Sequence, residues 1–119
     1  MEKTRLRWSA FVGYLLRSVP MTIPVYVVWE SYFPPESAAA GLEVTEAIWR
    51  DMPAYVGYIG HELIQDVADP GHLLVVSRWA SQEAADDVRD RYAGNPNARR
   101  ANSLVREPRR RIVCVRVER

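Results

Sequence analysis

The sequence predicts a single α+β domain with its elements in the order β-α-β-β-α-β. Three observations predict it. Runs rich in valine, isoleucine and aromatic residues alternate with stretches whose apolar residues recur at helical spacing. Prolines and glycines punctuate the changes from one pattern to the other. With 119 residues, 48% hydrophobic and 26% charged, the chain has the size and composition of one folded domain, not of a disordered tail or a fibre.

Residues 1–20 stand apart. Trp8, Phe11, Val12, Leu15, Leu16 and Val19 share one helical face, Lys3, Arg5, Arg7 and Arg17 decorate the rest, and Pro20 stops the pattern. The formal net charge is +1, and the positive balance lies in this leader. A membrane span needs ~20 apolar residues, more than the leader offers. Three readings are open: an arm packed on its own fold or on a partner subunit, an interfacial membrane helix, or an upstream extension before a start at Met21. The packed arm is favoured, because stable membrane anchoring takes more than one short helix. The domain proper is then 21–119, and the fold does not need the leader.

The first strand is expected over Ile23–Phe33, and Pro34-Pro35 ends it and opens a helix with Glu36 in its first turn. The helix over 36–52 puts Ala38, Leu42, Thr45, Trp49 and Met52 on one face, and Pro53 closes it. A second strand runs from about Tyr55 to Val67, where Gly57 and Gly60 point to a bulge or a close approach by another group. Asp69-Pro70-Gly71 is a tight-turn signal, so the third strand, His72–Trp79, is its antiparallel neighbour. Ser81 caps a second helix whose stripe is Ala85, Val88 and Tyr92, and Gly94-Asn95-Pro96 ends it. Residues 97–107 have room for one or two helical turns around Ala101, Leu104 and Val105, and the last strand is Arg111–Val117.

This order is the split βαβ arrangement of ferredoxin-like folds. In such a two-layer sandwich the helix-free sheet face normally alternates to polar residues. Here Val25–Trp29, Leu73–Val76 and Ile112–Val115 are apolar on both faces. A second copy of the sheet is the economical cover, so a homodimer with sheets packed face to face is expected.

Composition excludes several functions. The near-neutral charge gives no drive onto nucleic acid or a membrane, and neither is an expected partner. The single cysteine, Cys114, excludes an internal disulfide and a cysteine-based zinc site. No carboxylate lies at a familiar ligand spacing from His61 or His72, so no metal is expected. The short apolar run after the basic start lacks a small-residue cleavage signal, which favours a cytoplasmic protein over a secreted one.

Two segments carry a resemblance: Tyr55-Val-Gly-Tyr-Ile-Gly-His-Glu-Leu-Ile-Gln-Asp66, and Asp69-Pro-Gly-His-Leu-Leu-Val-Val-Ser-Arg-Trp79-Ala-Ser81-Gln-Glu-Ala84. Over roughly Ile23 to Val117 the chain resembles the antibiotic biosynthesis monooxygenase family, within the dimeric α/β-barrel superfamily. The match is a glycine-containing strand after the first helix, then a strand ending in Trp-x-Ser with Glu-Ala opening the second helix. The resemblance implies a small cavity between sheet and helices, one per subunit. It also implies an oxidoreductase that oxidises phenols, quinols or polyketide anthrones with molecular oxygen and no cofactor. A haem-degrading branch of the family has an asparagine on the first strand, a tryptophan at the Trp79 position and an iron-binding histidine beyond the start of the second helix. This chain keeps only the tryptophan; residues 80–119 contain no histidine, and Glu30 and Ser31 stand where the asparagine would. The protein is therefore expected to carry no haem.

The candidate catalytic residues are His61, Glu30 and Trp79, and the candidate substrate-binding residues are Trp29, Trp49, Tyr58 and Tyr92. Trp79 is either a cleft residue or a core anchor, since aromatic side chains dominate cores as well. His61 titrates near neutral pH and has glycines beside it, which suits a proton acceptor or a strand histidine bonded to water or backbone. Glu30 in an apolar strand is a base or the partner of an arginine. His72 follows a turn and reads as solvated. Arg106 and Arg109-Arg110-Arg111 form a basic cluster at the start of the last strand, either a phosphate or nucleic-acid site or, the favoured reading, a solvated edge that discourages strand-to-strand association. Two function classes follow, a cofactor-independent monooxygenase and a non-catalytic ligand-binding or interaction domain of the same fold. They separate on whether the space between sheet and helices is open, with Trp79 and a titratable group facing it.

Overall fold

The computed structural model describes residues 23–118, so the leader and the arm expected there lie outside the described residues. Strand β1 spans Val25–Tyr32, helix α1 Ala38–Asp51, β2 Tyr58–Asp66 and β3 Asp69–Trp79. Helices α2 (Gln82–Tyr92) and α3 (Pro96–Leu104) follow, then β4 (Arg110–Cys114). Short 3₁₀ turns at Pro35–Ser37 and Met52–Ala54 flank α1. The four strands form one antiparallel sheet in the order β2-β3-β1-β4, the ferredoxin-like order with one helix, α3, added before the last strand.

Register assigns the faces. Val27 sits opposite Ser77 and Val113, and Trp29 opposite Val75 and Arg111. Side chains alternate along a strand, so Val25, Val27 and Trp29 share the helix-bearing face with Val75, Ser77 and Trp79. Against that face pack Val44, Ile48 and Trp49 of α1, Ala85, Val88 and Tyr92 of α2, and Ala98 and Ala101 of α3. Ser81 caps α2 as expected, its Oγ accepting the Ala84 N–H at 3.1 Å.

Three local expectations are corrected. The β2–β3 turn falls at Val67-Ala68, because the Asp66 carboxylate accepts the Ala68 N–H at 2.8 Å and closes an Asx turn first. Gly71 is instead a contact point: its carbonyl accepts the Phe33 N–H at 2.8 Å, and a Cβ there would overlap the Phe33 carbonyl oxygen. The buried stripe of α1 is rotated from Ala38 and Leu42 toward Gly41, Val44 and Ile48, since the Phe33 ring lies where a side chain at position 41 would go. Asn95-Pro96 not only ends α2 but starts α3, with the Asn95 side chain accepting the Asn97 N–H at 2.8 Å. Gly57 has φ +94, and a Cβ on it would lie 2.6 Å from that of Ala84, so glycine is required for β2 to pass the start of α2. The register shifts between Tyr58 and Gly60, at the bulge that the two glycines suggested.

Candidate functional site

Between the sheet and the helices lies an open cavity of ≈ 690 Å³, within the ~300–1,000 Å³ typical of small-molecule sites. Trp29 of β1, Trp49 of α1, Trp79 of β3 and Tyr92 of α2 line it, with Val27, Ile48, Met52 and Val88 completing an apolar wall. The polar part of the wall is mainly cationic, from Arg89, Arg106, Arg109 and Arg111, with Asn102 and Glu107 among them.

Trp79 is fixed from below. Its indole N–H donates to Ser77 Oγ at 3.0 Å, and the Ser77 hydroxyl, fully buried, donates to the Val27 carbonyl at 2.8 Å. The indole therefore presents ring surface to the cavity, not a hydrogen-bond donor. Tyr58 meets that ring edge-on at 5.6 Å, and its hydroxyl is hydrogen-bonded to His61 Nδ1 at 2.6 Å. His61 in turn lies 5.2 Å from the Trp49 ring. Neither Tyr58 nor His61 lines the cavity; both support the two tryptophans from the β2 side. Burial lowers the His61 pKa, so this imidazole is neutral at pH 7.

Tyr92 is the titratable group on the aromatic wall. Its hydroxyl donates to Asp51 Oδ2 at 2.7 Å and receives a longer bond from Asn97 Nδ2 at 3.4 Å. Burial, followed by the bond to Asp51, pushes its pKa up to about 12, so it stays protonated across the physiological range. A residue of the cavity wall thus has its hydroxyl already coupled to a carboxylate.

Glu30 faces the other way, on the helix-free side of the sheet. Its Oε2 meets His72 Nε2 at 2.7 Å and accepts the Tyr32 hydroxyl at 3.0 Å, while Arg110 approaches Oε1 at 3.9 Å. Asp66 Oδ2 holds His72 Nδ1 at 2.8 Å, and the His72 ring stacks on Tyr32 at 4.2 Å. His72, expected to be solvated, is instead clamped between two carboxylates that raise its pKa, Asp66 first and Glu30 second. The bond to His72 in turn lowers the pKa of both Glu30 and Asp66. A raised histidine stabilises fully below its ordinary value of ~6.5 and loses that contribution as pH rises through its folded value. The lowered carboxylates contribute above their ordinary range and lose it as pH falls through their folded values. The cluster is therefore expected to stabilise most in weakly acidic solution, between those limits. In thermal melts, the gap between wild type and His72→Gln should narrow steadily from pH 6 to pH 9; a gap independent of pH would contradict the ion pairs.

The arginine cluster departs from the favoured reading of a solvated edge, because Arg109 and Arg111 line the cavity. Of the expected solvated edge, Arg110 and Arg106 conform, with side chains 71% and 47% exposed. Arg111 has only 13% exposure and donates from Nη2 to Asp86 Oδ1 at 2.7 Å. Arg109 donates from Nε to Asn102 Oδ1 at 2.9 Å, and burial lowers its pKa. Both guanidinium groups lie over Trp29, at 4.8 Å for Arg109 and 6.0 Å for Arg111. The signal was present in the period of two along β4, which puts Arg111 and Val113 on the helix-bearing face and Arg110 on the other.

The family pattern described as antibiotic biosynthesis monooxygenase matches residues 24–93, more than half of the chain. The chain belongs to the antibiotic biosynthesis monooxygenase family. Among solved structures it is similar to SnoaB, a cofactor-independent oxygenase from Streptomyces nogalater, at 12% identity and TM-score 0.70, covering 81% of this chain and 95% of that one. It is similar to Rv0793 from Mycobacterium tuberculosis at 21% identity and TM-score 0.65, covering 81% and 97%. A structure titled antibiotic biosynthesis monooxygenase matches at 17% identity and TM-score 0.66, covering 79% and 99%. At these identities the likeness concerns the fold. Among curated proteins no sequence matches significantly. The family match takes in Trp29, Trp49, Trp79 and Tyr92; α3 and β4, with Arg109 and Arg111, lie beyond it. Among the described residues, no helix is long and apolar enough to cross a membrane.

Proposed function

We propose that the protein is a cofactor-independent monooxygenase acting on an aromatic small molecule of the phenol, quinol or anthrone type. The observation that carries this reading is the open cavity lined by three tryptophans and by Tyr92, whose hydroxyl is bonded to Asp51 behind the wall, in a chain of this family. Of the two function classes, an open cavity facing Trp79 and a titratable group favours the enzyme. The likeness to a cofactor-independent oxygenase supports the same choice.

In this reading the tryptophans hold the planar substrate, whose flat faces they match. The enol hydroxyl of an anthrone gives its proton to the Tyr92 oxygen as Tyr92 passes its own to Asp51. The resulting enolate transfers one electron to dioxygen, and carbon and superoxide recombine to a peroxide anion that is protonated. Loss of the remaining proton on that carbon and cleavage of the O–O bond leave a carbonyl and release water. The sum is R₂CH₂ + O₂ → R₂C=O + H₂O, with all four electrons supplied by the substrate. His61 is a positioning residue here, acting through Tyr58 on Trp79. Glu30, on the opposite face, takes no part. The test is oxygen consumption by metal-free protein against a panel of hydroquinones and anthrones, measured above the uncatalysed rate; no acceleration with any of them would overturn the reading.

The helix-free sheet face supports the homodimer. Val28, Leu74, Val76 and Ile112 form a half-buried apolar patch there, and Ile64 beside it is 46% exposed. We place the twofold contact on this patch. Val76→Asp would bury an unpaired charge in an apolar contact and is expected to give a folded monomer. Sedimentation velocity checks it: wild type should run as a dimer at micromolar concentration, and a wild-type monomer would contradict the contact.

A further inference from the structure

We infer that the cavity selects substrates bearing a carboxylate, bound by Arg109 and Arg111 beside the face of Trp29. The inference rests on the proposed reading of this cavity as a site for an aromatic substrate, and adds the charge that the substrate carries.

Arg89 pairs with Asp90 at 3.0 Å, Arg106 with Glu107 at 3.6 Å and Arg111 with Asp86 at 2.7 Å. Arg109, alone of the four cavity arginines, has no carboxylate partner among the described residues; its bond is to the neutral Asn102. The four arginines with their three carboxylate partners therefore leave one positive charge in excess at this end of the cavity, which a monoanion would neutralise. Hydrogen bonding points the same way. Among the described residues Arg109 uses Nε on Asn102 and Arg111 uses Nη2 on Asp86, which leaves Nη donors on both guanidinium groups for a ligand. A carboxylate has two oxygens and about four acceptor sites, enough for a donor from each guanidinium. Trp29 lies beneath both guanidinium groups, so the acid would sit next to an aromatic platform able to hold the ring that bears it.

The experiment compares two inert probes by calorimetry on the full chain, anthraquinone-2-carboxylate and its neutral amide. Wild type is expected to bind the acid about 10- to 100-fold more tightly, the worth of a charge-assisted pair. Arg109→Gln should remove most of that preference, and Arg109→Gln with Arg111→Gln all of it, with affinity for the amide unchanged. Arg110→Gln, on the opposite face, should leave both affinities alone. Arg109→Gln leaves the Arg111–Asp86 pair in place, and unchanged amide binding certifies its fold. Equal wild-type affinities for acid and amide, or equal weakening of both in the variants, would overturn the inference. Failure of both probes to bind would overturn it together with the aromatic cavity. Acid preference in a protein that oxidises nothing would uphold it and overturn only the monooxygenase reading.

Discussion

Replacing Tyr92 by phenylalanine is expected to lower kcat for anthrone oxidation about 10²-fold, the lower end of what a positioned proton-transfer group contributes. The substitution keeps the ring in the cavity wall and removes only the hydroxyl that donates to Asp51 at 2.7 Å. Substrate packing is retained, so KM should stay within about threefold. Asp51→Asn separates the chemistry from the structure. The amide oxygen still accepts the Tyr92 hydroxyl, but it can no longer take up the proton, so kcat should fall as far as in Tyr92→Phe. The double variant should be no slower than either single one, because both remove the same path. Steady-state oxygen uptake on the three proteins checks this; full activity in Tyr92→Phe would move proton removal to another group.

Trp79→Ala is expected to cost about 3–5 kcal/mol of stability, the usual range for truncating a core aromatic to alanine. Trp79 is 3% exposed and is held by the Ser77 hydroxyl below and the Tyr58 ring beside it. For a domain of this size each kcal/mol moves Tm by roughly 4–8 °C, so a fall of about 12 °C or more is expected. Trp79→Phe keeps ring surface toward the cavity and leaves the Ser77–Val27 bond intact. Its loss should be about 1–2 kcal/mol. Thermal unfolding decides it: a loss below about 1 kcal/mol for the alanine variant would make Trp79 a peripheral wall residue and not the pin between β3 and the cavity.

The fold was largely legible because its signals are local. Runs of β-branched residues, Pro34-Pro35, the Ser81 cap and the stripe Ala85-Val88-Tyr92 each act within one element, and each element formed. Errors arose where a distant residue decides. The carbonyl of Phe33 fixes the role of Gly71, and the Phe33 ring turns the buried stripe of α1; neither is visible from the local pattern. The aromatic cavity wall could be read as a set of large side chains without a known arrangement. Its polar half could not, because Tyr92 meets Asp51 across 41 positions and Arg111 meets Asp86 across 25. Glu30 illustrates the limit: a charge in an apolar strand signals a partner, but only register shows that His72 stands on the same side of the sheet.

The central claim is that the cavity oxygenates an aromatic substrate using electrons from the substrate alone. The direct measurement is the reaction of metal-free protein with 1,8-dihydroxyanthrone under ¹⁸O₂, with the quinone analysed by mass spectrometry. The account predicts turnover well above the uncatalysed rate, one labelled oxygen per quinone, one dioxygen consumed per product and no hydrogen peroxide released. Consumption no faster than without protein, or a quinone whose new oxygen comes from water, would contradict it.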